Sequence, residues 1–438
     1  MKILIFGNDS AAHVLGWKLV NSAYVQEIIL APGNGGTSFF GSSVDLLRED
    51  LATITSFVLR ESVDLVVSDL AGIAAGIPDE VGALPLPVVG SNSALKPLHF
   101  SRCAAREWLQ QHGLPTPRGR VCTSQQQAEK YAATLMHPLL VAADDPSGPA
   151  IICTERTAVP QAIDDCLDVN MRAGIIVEEV VSGPQVTASL LTDGKTALPV
   201  PATRLYGQAN QPYARPTGVH SASTTLWSRL DAHLETQIRQ PLLAALQADG
   251  RGACGWIGTT CVVGQRGPLI QSLHLAPSGL ELAATLMRLD SDMLPLLIGT
   301  ARGTLAAVAQ PIWRSEATVA TALTRPTLAG TGADISFSAF ESFDPGILVF
   351  HHATTSSVPN TYVPHAARFG SSKPGGFGFG LGIAPTILSS SSAAEPTVAI
   401  VATSGPDLAT ARERLYTNLR RSSLSPGVYR DDIGSREL

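Results

Sequence analysis

Three short segments rich in Gly, Asn, Asp and Ser each follow an apolar run that favours a β-strand. They are residues 7–10, 32–36 and 68–72. At the carboxyl end of a parallel strand, a helix N-terminus presents backbone N–H groups that favour an anion. We therefore expect ligand contacts at these three turns, and Gly7 and Asn8 stand where an anion would be favoured.

Side chains that could bind a metal or perform redox chemistry are scattered along the chain. The six cysteines include no CxxC pair, so the spacing typical of zinc and redox sites is absent. His274 has no carboxylate beside it in residues 270–278, and a lone histidine on a strand more often makes structural hydrogen bonds. We expect reduced, mostly buried thiols.

The elements that would position the three turns follow from hydrophobic periodicity. Apolar β-prone runs at 2–6, 25–30, 63–67 and 87–89 alternate with helical patterns at 11–20 and 46–60. This alternation predicts an α/β fold that begins with a doubly wound parallel sheet. In such a sheet, the three turns lie at the same edge.

The rest of the chain has more strand patterns than helix patterns. A helix that ends at Gly113 is predicted at 102–112. Further helices are predicted at 231–249 and 408–421, and a helical region at 280–299. Between them lie strands at 139–142, 151–153, 175–178, 186–191, 256–263 and 269–275. The low-complexity run 370–382 and the serines 389–392 are typical of mobile loops.

Composition excludes several classes of protein. A chain of 438 residues with 45% hydrophobic and 16% charged residues is typical of a globular protein with two to four packed domains. The formal charge of −6 gives no basic field for nucleic acid. No apolar run is long enough for a membrane span, and the N-terminus lacks the features of a signal peptide. We expect a cytoplasmic protein that binds neither nucleic acid nor membrane.

Six stretches in order along the chain resemble glycinamide ribonucleotide synthetase, an ATP-grasp ligase (phosphoribosylamine–glycine ligase). The most specific is APGNGGT at residues 31–37. The others are MKILIFGNDSAAHVLGWKL, QQHGLPTP, IIVEEVVSG, and VYRDDIG near the end, together with the segment from Gly267 to Leu296, which aligns with the family's metal-binding region and the helix after it. The resemblance implies an N-terminal α/β domain over 1–100 and an ATP-grasp-like domain over 101–320, with its small lobe at about 117–183. It also implies a small β-rich C-terminal domain over 321–438.

The family's chemistry joins glycine to phosphoribosylamine through an acyl phosphate, with ATP held by lysines and usually two Mg²⁺ ions. One phosphate lysine of the family aligns with Arg102, which keeps the charge, and the second aligns with Ala142. The glycine-rich phosphate loop aligns with residues 146–151, where two prolines remove N–H donors. The chain has no Lys between Lys130 and Lys195.

The resemblance also indicates which residues would contact the nucleoside and the metal. Glu178 and Glu179 align with the adenine segment, although a pair of exposed carboxylates at a strand end is the alternative. Gln185 aligns with the residue that binds the ribose hydroxyls, and an amide can still do so. The metal-ligand positions hold Ser272 and His274, which are poor ligands for Mg²⁺. We therefore expect no metal there; ATP remains a possible cofactor and Mg²⁺ a doubtful one.

On the substrate side, the resemblance leaves a thinned set of candidates. Ala11 and Ala12 stand where the family has Arg-Glu, and Gly207 and Ala209 replace an acidic pair. The family's Gly-Pro-Glu aligns with 68–70, and one aspartate of the family with Gly279. The remaining candidates for substrate binding are Gly7, Asn8, Asn34, Gly36 and Arg204. Arg288 and Glu281 are weak candidates for catalysis. For most of these residues, an ordinary role in a turn or a salt bridge is the alternative.

Three hypotheses follow for the function. The first is an ATP-dependent phosphoribosylamine–glycine ligase of purine biosynthesis. The second, favoured by the loss of charged site residues, is a pseudoenzyme that binds a nucleotide, a phosphoribosyl ligand or a purine-pathway enzyme on the same scaffold. The third is a ligase with a changed substrate. A glycine-dependent release of ADP separates an active ligase from the pseudoenzyme.

Overall fold

The computed structural model describes residues 1–167, 174–207, 218–324, 340, 342–354, 397–422 and 429–435. Contacts divide the chain into two compact units. The first unit contains Met1–Gly90, Thr217–Thr224 and Pro277–Leu438, and the second contains Ser91–Pro216 and Thr225–Ala276. The predicted low-complexity loops at 370–382 and 389–392 lie outside the described residues.

The first unit begins with a five-stranded parallel sheet. Its elements are β1 (Lys2–Gly7), α1 (Ser10–Leu19), β2 (Glu27–Pro32), β3 (Ser42–Ser43), α2 (Leu51–Arg60), β4 (Leu65–Val67), α3 (Leu70–Ala75), α4 (Ile77–Val81) and β5 (Val88–Val89). The strand order is β3-β2-β1-β4-β5, with every pair parallel. The predicted parallel sheet is therefore confirmed, with β1 at its centre.

The second unit opens with a small antiparallel sheet. Its elements are α5 (Pro97–Phe100), α6 (Arg102–Gln111), β6 (Gly119–Cys122), α7 (Gln125–Ala132), β7 (Leu139–Ala143), β8 (Ala150–Cys153), α8 (Val159–Leu167) and β9 (Ile175–Glu179). The order is β6-β9-β7-β8. Alternate residues of β7 and β9 pack with α7 and α8 in one apolar core, which fixes the register of these strands.

The second unit also contains β10 (Gln185–Thr192), β11 (Ala197–Pro199), β12 (Arg204–Tyr206), α9 (Thr225–Leu234), α10 (Gln240–Asp249), β14 (Gly255–Gly264) and β15 (Gly267–His274). These strands pair antiparallel in the order β15-β14-β10-β12, and β11 pairs with β10. A π-helical turn at Glu235–Arg239 joins α9 to α10. The helix predicted at 231–249 therefore begins earlier, at Thr225, and contains this turn.

The first unit also contains strands and helices from the C-terminal half of the chain. They are β13 (Gly218–Ser221), α11 (Gly279–Leu286), α12 (Met293–Arg302), β16 (Ala317–Thr324), β17 (Ile347–His351), β18 (Thr397–Gly405) and α13 (Leu408–Arg421). The strands form the antiparallel order β13-β16-β18-β17. The helical region predicted at 280–299 contains two helices, because residues 287–292 separate α11 from α12. Within that break, Leu289 pairs with Trp313.

The residues from Pro277 onward belong to the same compact unit as the N-terminal sheet. The boundaries expected at 101–320 and 321–438 stay a prediction. All six cysteines are free, and all except Cys254 are buried, as expected for structural thiols. Among the residues that the structure describes, no helix has both the length and the apolar character that crossing a membrane requires.

Candidate functional site

The turn after β1 is shaped by Gly7 and Asp9. Gly7 has φ +138°, and a Cβ there would lie 2.8 Å from the Cβ of Ala12. Asp9 caps α1, because its carboxylate accepts from the N–H of Ala12 at 2.9 Å. The side chain of Asn8 is exposed. The turn therefore brings the helix N-terminus to the carboxyl edge of the sheet, as the sequence predicts.

Asn34, a predicted substrate-binding residue, lies in the turn after β2 with 7% exposure. Its two side-chain N–H groups are shared among three carbonyl oxygens, those of Asn8, Asp9 and His351, at 3.0 to 3.2 Å. Its carboxamide oxygen accepts from Gly36 N at 3.0 Å. Both donors and the acceptor are thus engaged within the protein, so this geometry gives Asn34 a structural role.

Gly36 is held in the same arrangement. A Cβ at Gly36 would lie 2.2 Å from the ring of His13 and 2.7 Å from that of His351. Only a glycine fits between these two rings without displacing one of them. Because the Gly36 N–H already donates to Asn34, a ligand would reach this turn through other groups.

Residues 351–354 meet both turns, which the sequence analysis did not anticipate. Ala353 N donates to Asn8 O at 2.8 Å, and Gly35 N donates to Thr354 O at 2.9 Å. His352 Nδ1 lies 3.1 Å from Ser10 Oγ. We call residues 7–13, 33–37 and 351–354 the N-terminal junction. In the sequence, this third segment is marked only by the pair His351-His352, which follows a β-prone run.

Two histidines of the junction are buried in the neutral form. His13 Nδ1 accepts from His351 N at 3.0 Å, and the two rings lie 5.5 Å apart. Burial, and the nearby His351, hold the pKa of His13 well below its usual value. Burial also lowers the pKa of His351 to about 3. Neither ring carries a charge near neutral pH.

A cation at the third turn was also missed. Asp69 caps α3 by accepting from Gly72 N at 2.8 Å. Arg48 binds the same carboxylate with two N–H groups, at 3.2 and 2.5 Å. The third turn therefore holds a bidentate ion pair in the segment that resembles the family's Gly-Pro-Glu.

The two weak catalytic candidates are buried inside the first unit. Arg288 is 4% exposed and Glu281 is 5% exposed. The Arg288 guanidinium donates to Ser221 Oγ at 2.6 Å, to Arg314 O at 3.2 Å and also to Ser223 Oγ. Glu281 lies in the first turn of α11, which Ser278 caps. Arg288 therefore tethers β13 and the chain after it, and its catalytic role stays a prediction.

Arg204 begins β12 and remains partly exposed. Its guanidinium carbon lies 5.6 Å from the centre of the Tyr206 ring, in cation–π range. The substrate role of Arg204 stays a prediction.

In the second unit, Arg102 binds the backbone of the segment that aligns with the family's phosphate loop. Its guanidinium donates to the carbonyl oxygens of Ala143 and Pro146, each at 2.8 Å, and lies 3.5 Å from that of Pro149. Partial burial lowers its pKa from the usual arginine value, yet the group stays charged. The one cation kept from the family's phosphate set thus binds the chain's own backbone.

Asp144 fastens the other side of this loop. Its carboxylate accepts from Ser101 Oγ at 2.6 Å and from Cys103 N at 2.9 Å. It therefore adds an acceptor to the first turn of α6, whose N-cap is Ser101, while Arg102 binds the loop carbonyls. Together these contacts hold residues 143–149 against the start of α6, an arrangement we call the loop latch.

The two glutamates aligned with the adenine segment have different environments. Glu178 forms an ion pair with Arg106, and the two side chains are 3% and 2% exposed. Glu179 lies 3.4 Å from Arg118 and is 23% exposed. The alternative of two exposed carboxylates is therefore wrong for Glu178, because its strand position faces Arg106 in the interior. Adenine binding by either residue stays a prediction.

The metal-ligand positions contain a cluster of hydroxyl and imidazole groups. His274 Nε2 lies 2.9 Å from Thr260 Oγ1 and 3.0 Å from Ser272 Oγ. Desolvation, and the nearby His99, lower the pKa of His274 to about 3. Gln185 Nε2 donates to Gln271 Oε1 at 2.9 Å. This set presents hydrogen-bonding groups without formal charge.

Mg²⁺ requires octahedral oxygen ligands, usually with one or two carboxylates. No carboxylate occurs between Gly252 and Gly279. In the part of the chain that the structure describes, no group of three His, Cys, Asp or Glu side chains could hold a metal ion. The residues at these positions therefore offer no carboxylate oxygen to a metal ion.

Comparison with known proteins identifies the class first. The fold resembles a biotin carboxylase domain from Hydrogenobacter thermophilus, solved with MgADP and bicarbonate, with a TM-score of 0.66, 12% identity, and 97% and 90% of the two chains covered. A family model described as the ATP-grasp (A) domain of phosphoribosylglycinamide synthetase matches residues 100–274. The central part of the chain is thus an ATP-grasp domain.

The model of the N domain of the same synthetase matches residues 1–98. The chain belongs to the phosphoribosylglycinamide synthetase family. A phosphoribosylamine–glycine ligase of Phenylobacterium zucineum is 25% identical over 451 aligned positions, which cover both chains completely. The crystal structure of the Thermotoga maritima phosphoribosylamine–glycine ligase has a TM-score of 0.75 at 14% identity, covering 99% of this chain and all of that one.

Proposed function

We propose that this chain keeps the fold of a phosphoribosylamine–glycine ligase but carries out the ATP-dependent ligation at a severely reduced rate or not at all. The family reaction consumes ATP, glycine and phosphoribosylamine and releases ADP, phosphate and glycinamide ribonucleotide. A transferred phosphoryl group needs cations on its oxygens. The proposal concerns whether this chain can supply them.

The loop latch is the observation that carries the proposal. Arg102 donates to two loop carbonyls at 2.8 Å, so it would have to leave these partners to reach a phosphate. Ala142 offers a methyl group on β7 in place of the second cation. Pro146 and Pro149 have no N–H to offer a phosphate oxygen.

The metal side supports the same conclusion. Ser272 and His274 supply a hydroxyl and a neutral imidazole, and neither is a ligand that Mg²⁺ prefers. A bound Mg²⁺ would neutralise charge on the phosphates, so its loss adds to that of the lysines. Removing one charge-stabilising group typically costs about 3 kcal/mol, or roughly 100-fold in rate. Several losses together would bring turnover close to zero.

A direct test measures ADP release by the purified chain with Mg-ATP, phosphoribosylamine and glycine. The Thermotoga maritima ligase, assayed in parallel, controls for the unstable phosphoribosylamine. We expect glycine-dependent ADP release to be far slower than that of the control enzyme, or absent. Glycine-dependent ADP formation at a rate near that of the control enzyme would overturn the proposal.

Restoring variants make the test sharper. The resemblance implies Lys, Glu and Asn at the positions of Ala142, Ser272 and His274. The triple variant Ala142→Lys, Ser272→Glu, His274→Asn therefore restores one cation and two metal-ligand residues. If the missing charges are the cause, Mg-ATP affinity measured by calorimetry should rise in the triple variant. Arg120→Lys, an exposed change in the same unit, is the control. Tight Mg-ATP binding by the unmodified chain would contradict the stated cause.

A second candidate is a non-catalytic module that binds a nucleotide, a phosphoribosyl ligand or a purine-pathway enzyme. A selective pattern of loss favours it: the family's fold is kept, whereas Ala142 and Ser272 stand where the family has charged residues. Calorimetric titration with nucleotides in the absence of turnover would support this role.

A further inference from the structure

Lys18 lies in the last turn of α1, and its side chain is partly buried. Its Nζ donates to Leu289 O, in the break between α11 and α12. The same atom lies 5.9 Å from the centre of the Trp17 ring. Lys18 and Leu289 both belong to the first unit. The lysine therefore ties the first helix of the chain to a segment 271 residues further along.

The charged groups near the Lys18 ammonium are bound to other partners. Asp290 accepts from Arg314 Nε at 2.9 Å and from a second guanidinium nitrogen at 2.8 Å. Asp292 accepts from Ser22 Oγ at 2.7 Å. Within the described parts of the chain, the hydrogen bond of Lys18 goes to an uncharged carbonyl oxygen, and no carboxylate pairs with it. The ammonium is therefore partly desolvated, close to a guanidinium, and without a direct counter-ion.

These surroundings favour the neutral amine. Burial lowers the pKa of Lys18 to about 8, and the Arg314 guanidinium adds to this effect, although Asp290 and Asp292 oppose it. A lysine that is desolvated and lies next to another cation is an activated nucleophile. At pH 7.4, roughly a fifth of an amine with that pKa is unprotonated, against about a thousandth of an ordinary lysine. Lys18 therefore has the chemistry of a reactive amine.

The other lysines that the structure describes have different environments. Lys2 forms an ion pair with Glu27, with 3.1 Å between Nζ and the carboxylate. An opposite charge at this distance favours the protonated amine. The remaining described lysines are exposed to water, which also favours the charged form; they are Lys96, Lys130 and Lys195. Among the described lysines, Lys18 should therefore be the most nucleophilic.

We propose that Lys18 is an acylation site, at which the amine accepts an acyl group from a small acyl phosphate. The inference goes beyond the proposed function, because it requires neither a bound nucleotide nor ligation. The amine nitrogen attacks the acyl carbon, so that a C–N bond forms and the C–O bond to phosphate breaks. Phosphate leaves with the bonding electron pair, and the nitrogen loses a proton to water. Acylation removes the positive charge that binds Leu289 O.

The test treats the full chain with acetyl phosphate and measures the acetylation rate at each lysine by peptide mass spectrometry. At pH 7.4 we expect Lys18 to react at least about fivefold faster than Lys130, because a larger fraction of its amine is neutral. The rate at Lys18 should level off above pH 9, whereas the rate at Lys130 should continue to rise. A rate at Lys18 no greater than that at Lys130 would overturn the inference. So would a rate at Lys18 that still rises in proportion to hydroxide above pH 9.

Variants at Arg314 test whether the environment of Lys18 causes its reactivity. Arg314→Gln removes the nearby cation and releases Asp290, and both changes raise the pKa of Lys18, so acetylation at pH 7.4 should slow about threefold. Arg314→Lys keeps the charge and should keep the rate. Arg302→Gln is the matched control, because it removes the same charge from an exposed position in the same unit. Thermal unfolding confirms that each variant is folded. Equal rates in Arg314→Gln and Arg302→Gln would refute the inference.

Discussion

The N-terminal junction and the ATP-grasp part of the chain have departed from the family pattern in different ways. In the junction, Ala11 and Ala12 stand where the family has a charged pair, but polar residues such as Asn34 remain, and their donors and acceptors bind the protein's own backbone. In the ATP-grasp part, charged positions hold neutral residues, and the remaining cation, Arg102, binds its own loop. A matching residue type therefore shows that a scaffold persists, whereas the partners of its side chain show what the residue does.

The largest effect should come from the buried ion pair of the adenine segment. Glu178→Leu leaves Arg106 charged and unpaired in the interior, so we expect a loss of about 3–5 kcal/mol in the free energy of unfolding. The double variant with Arg106→Met should recover much of this loss. Urea denaturation measures both. Glu179→Gln, whose partner Arg118 is exposed, is the control and should cost about 0–1 kcal/mol.

If Glu178→Leu instead kept full stability, the carboxylate would not be holding the fold. The Glu178 carboxylate would then be available to bind a ligand. The ATP-grasp part would keep a charged site residue, and it would differ less from the N-terminal junction.

The next effect should come from the junction. Asn34→Ala removes the donors for three carbonyl groups and the acceptor for Gly36, so we expect a loss of about 3 kcal/mol. Asn21→Ala is the control, because this exposed side chain makes one contact, to Trp17 O at 2.8 Å. Equal urea midpoints for the two variants would show that Asn34 is not a structural residue.

Acid should destabilise the first unit through its buried histidines. His13 and His351 have lowered pKa values in the folded state, whereas the unfolded state binds protons near pH 6.5. Below that pH the unfolded chain binds more protons, so stability decreases as pH decreases, until the folded His351 titrates at about pH 3. Each fully suppressed histidine should cost roughly 2 kcal/mol between pH 6.5 and 5.

The measurement is the slope of the unfolding free energy against pH. His351→Gln should reduce that slope by the contribution of about one proton, because one titrating group fewer distinguishes the unfolded from the folded state. An unchanged slope would mean that His351 can accept a proton in the folded protein.

The smallest effect should come from the loop latch. Arg102→Gln loses the two charge-assisted contacts to Ala143 O and Pro146 O, and we expect a loss of about 1–2 kcal/mol because the group is partly exposed. Hydrogen exchange should accelerate at Gly148, whose N–H donates to Asp145 O. The exposed Arg120→Gln is the control. Unchanged exchange at Gly148 would show that Arg102 is free to meet a ligand.

Much of the fold could be predicted from the sequence, because it depends on local periodicity. The alternation over the first 90 residues predicts the parallel sheet, and the order of the motifs predicts the ATP-grasp class. The break at 287–292 could not be predicted, since an apolar pattern with helical spacing continues through it. Leu289 leaves the helix because it pairs with Trp313, which is a distant residue.

The candidate site was only partly predictable. The sequence indicates that Ala142 and Ser272 stand where the family has charged residues, because the type of a residue alone shows its charge. Contacts between distant segments, such as Ala353 with Asn8, appear only when the chain is folded. The ion pair between Arg48 and Asp69 could not be predicted, because no local sequence pattern links the two residues.

The sequence by itself determined which charges the molecule has: no lysine between 130 and 195, and no carboxylate between 252 and 279. Tertiary structure alone decided how the remaining polar groups are used. A polar side chain can bond either to a ligand or to another part of the protein, and the folded structure determines which partner lies within reach. Folding places carbonyl oxygens beside Asn34 and Arg102, and it pairs Glu178 with Arg106.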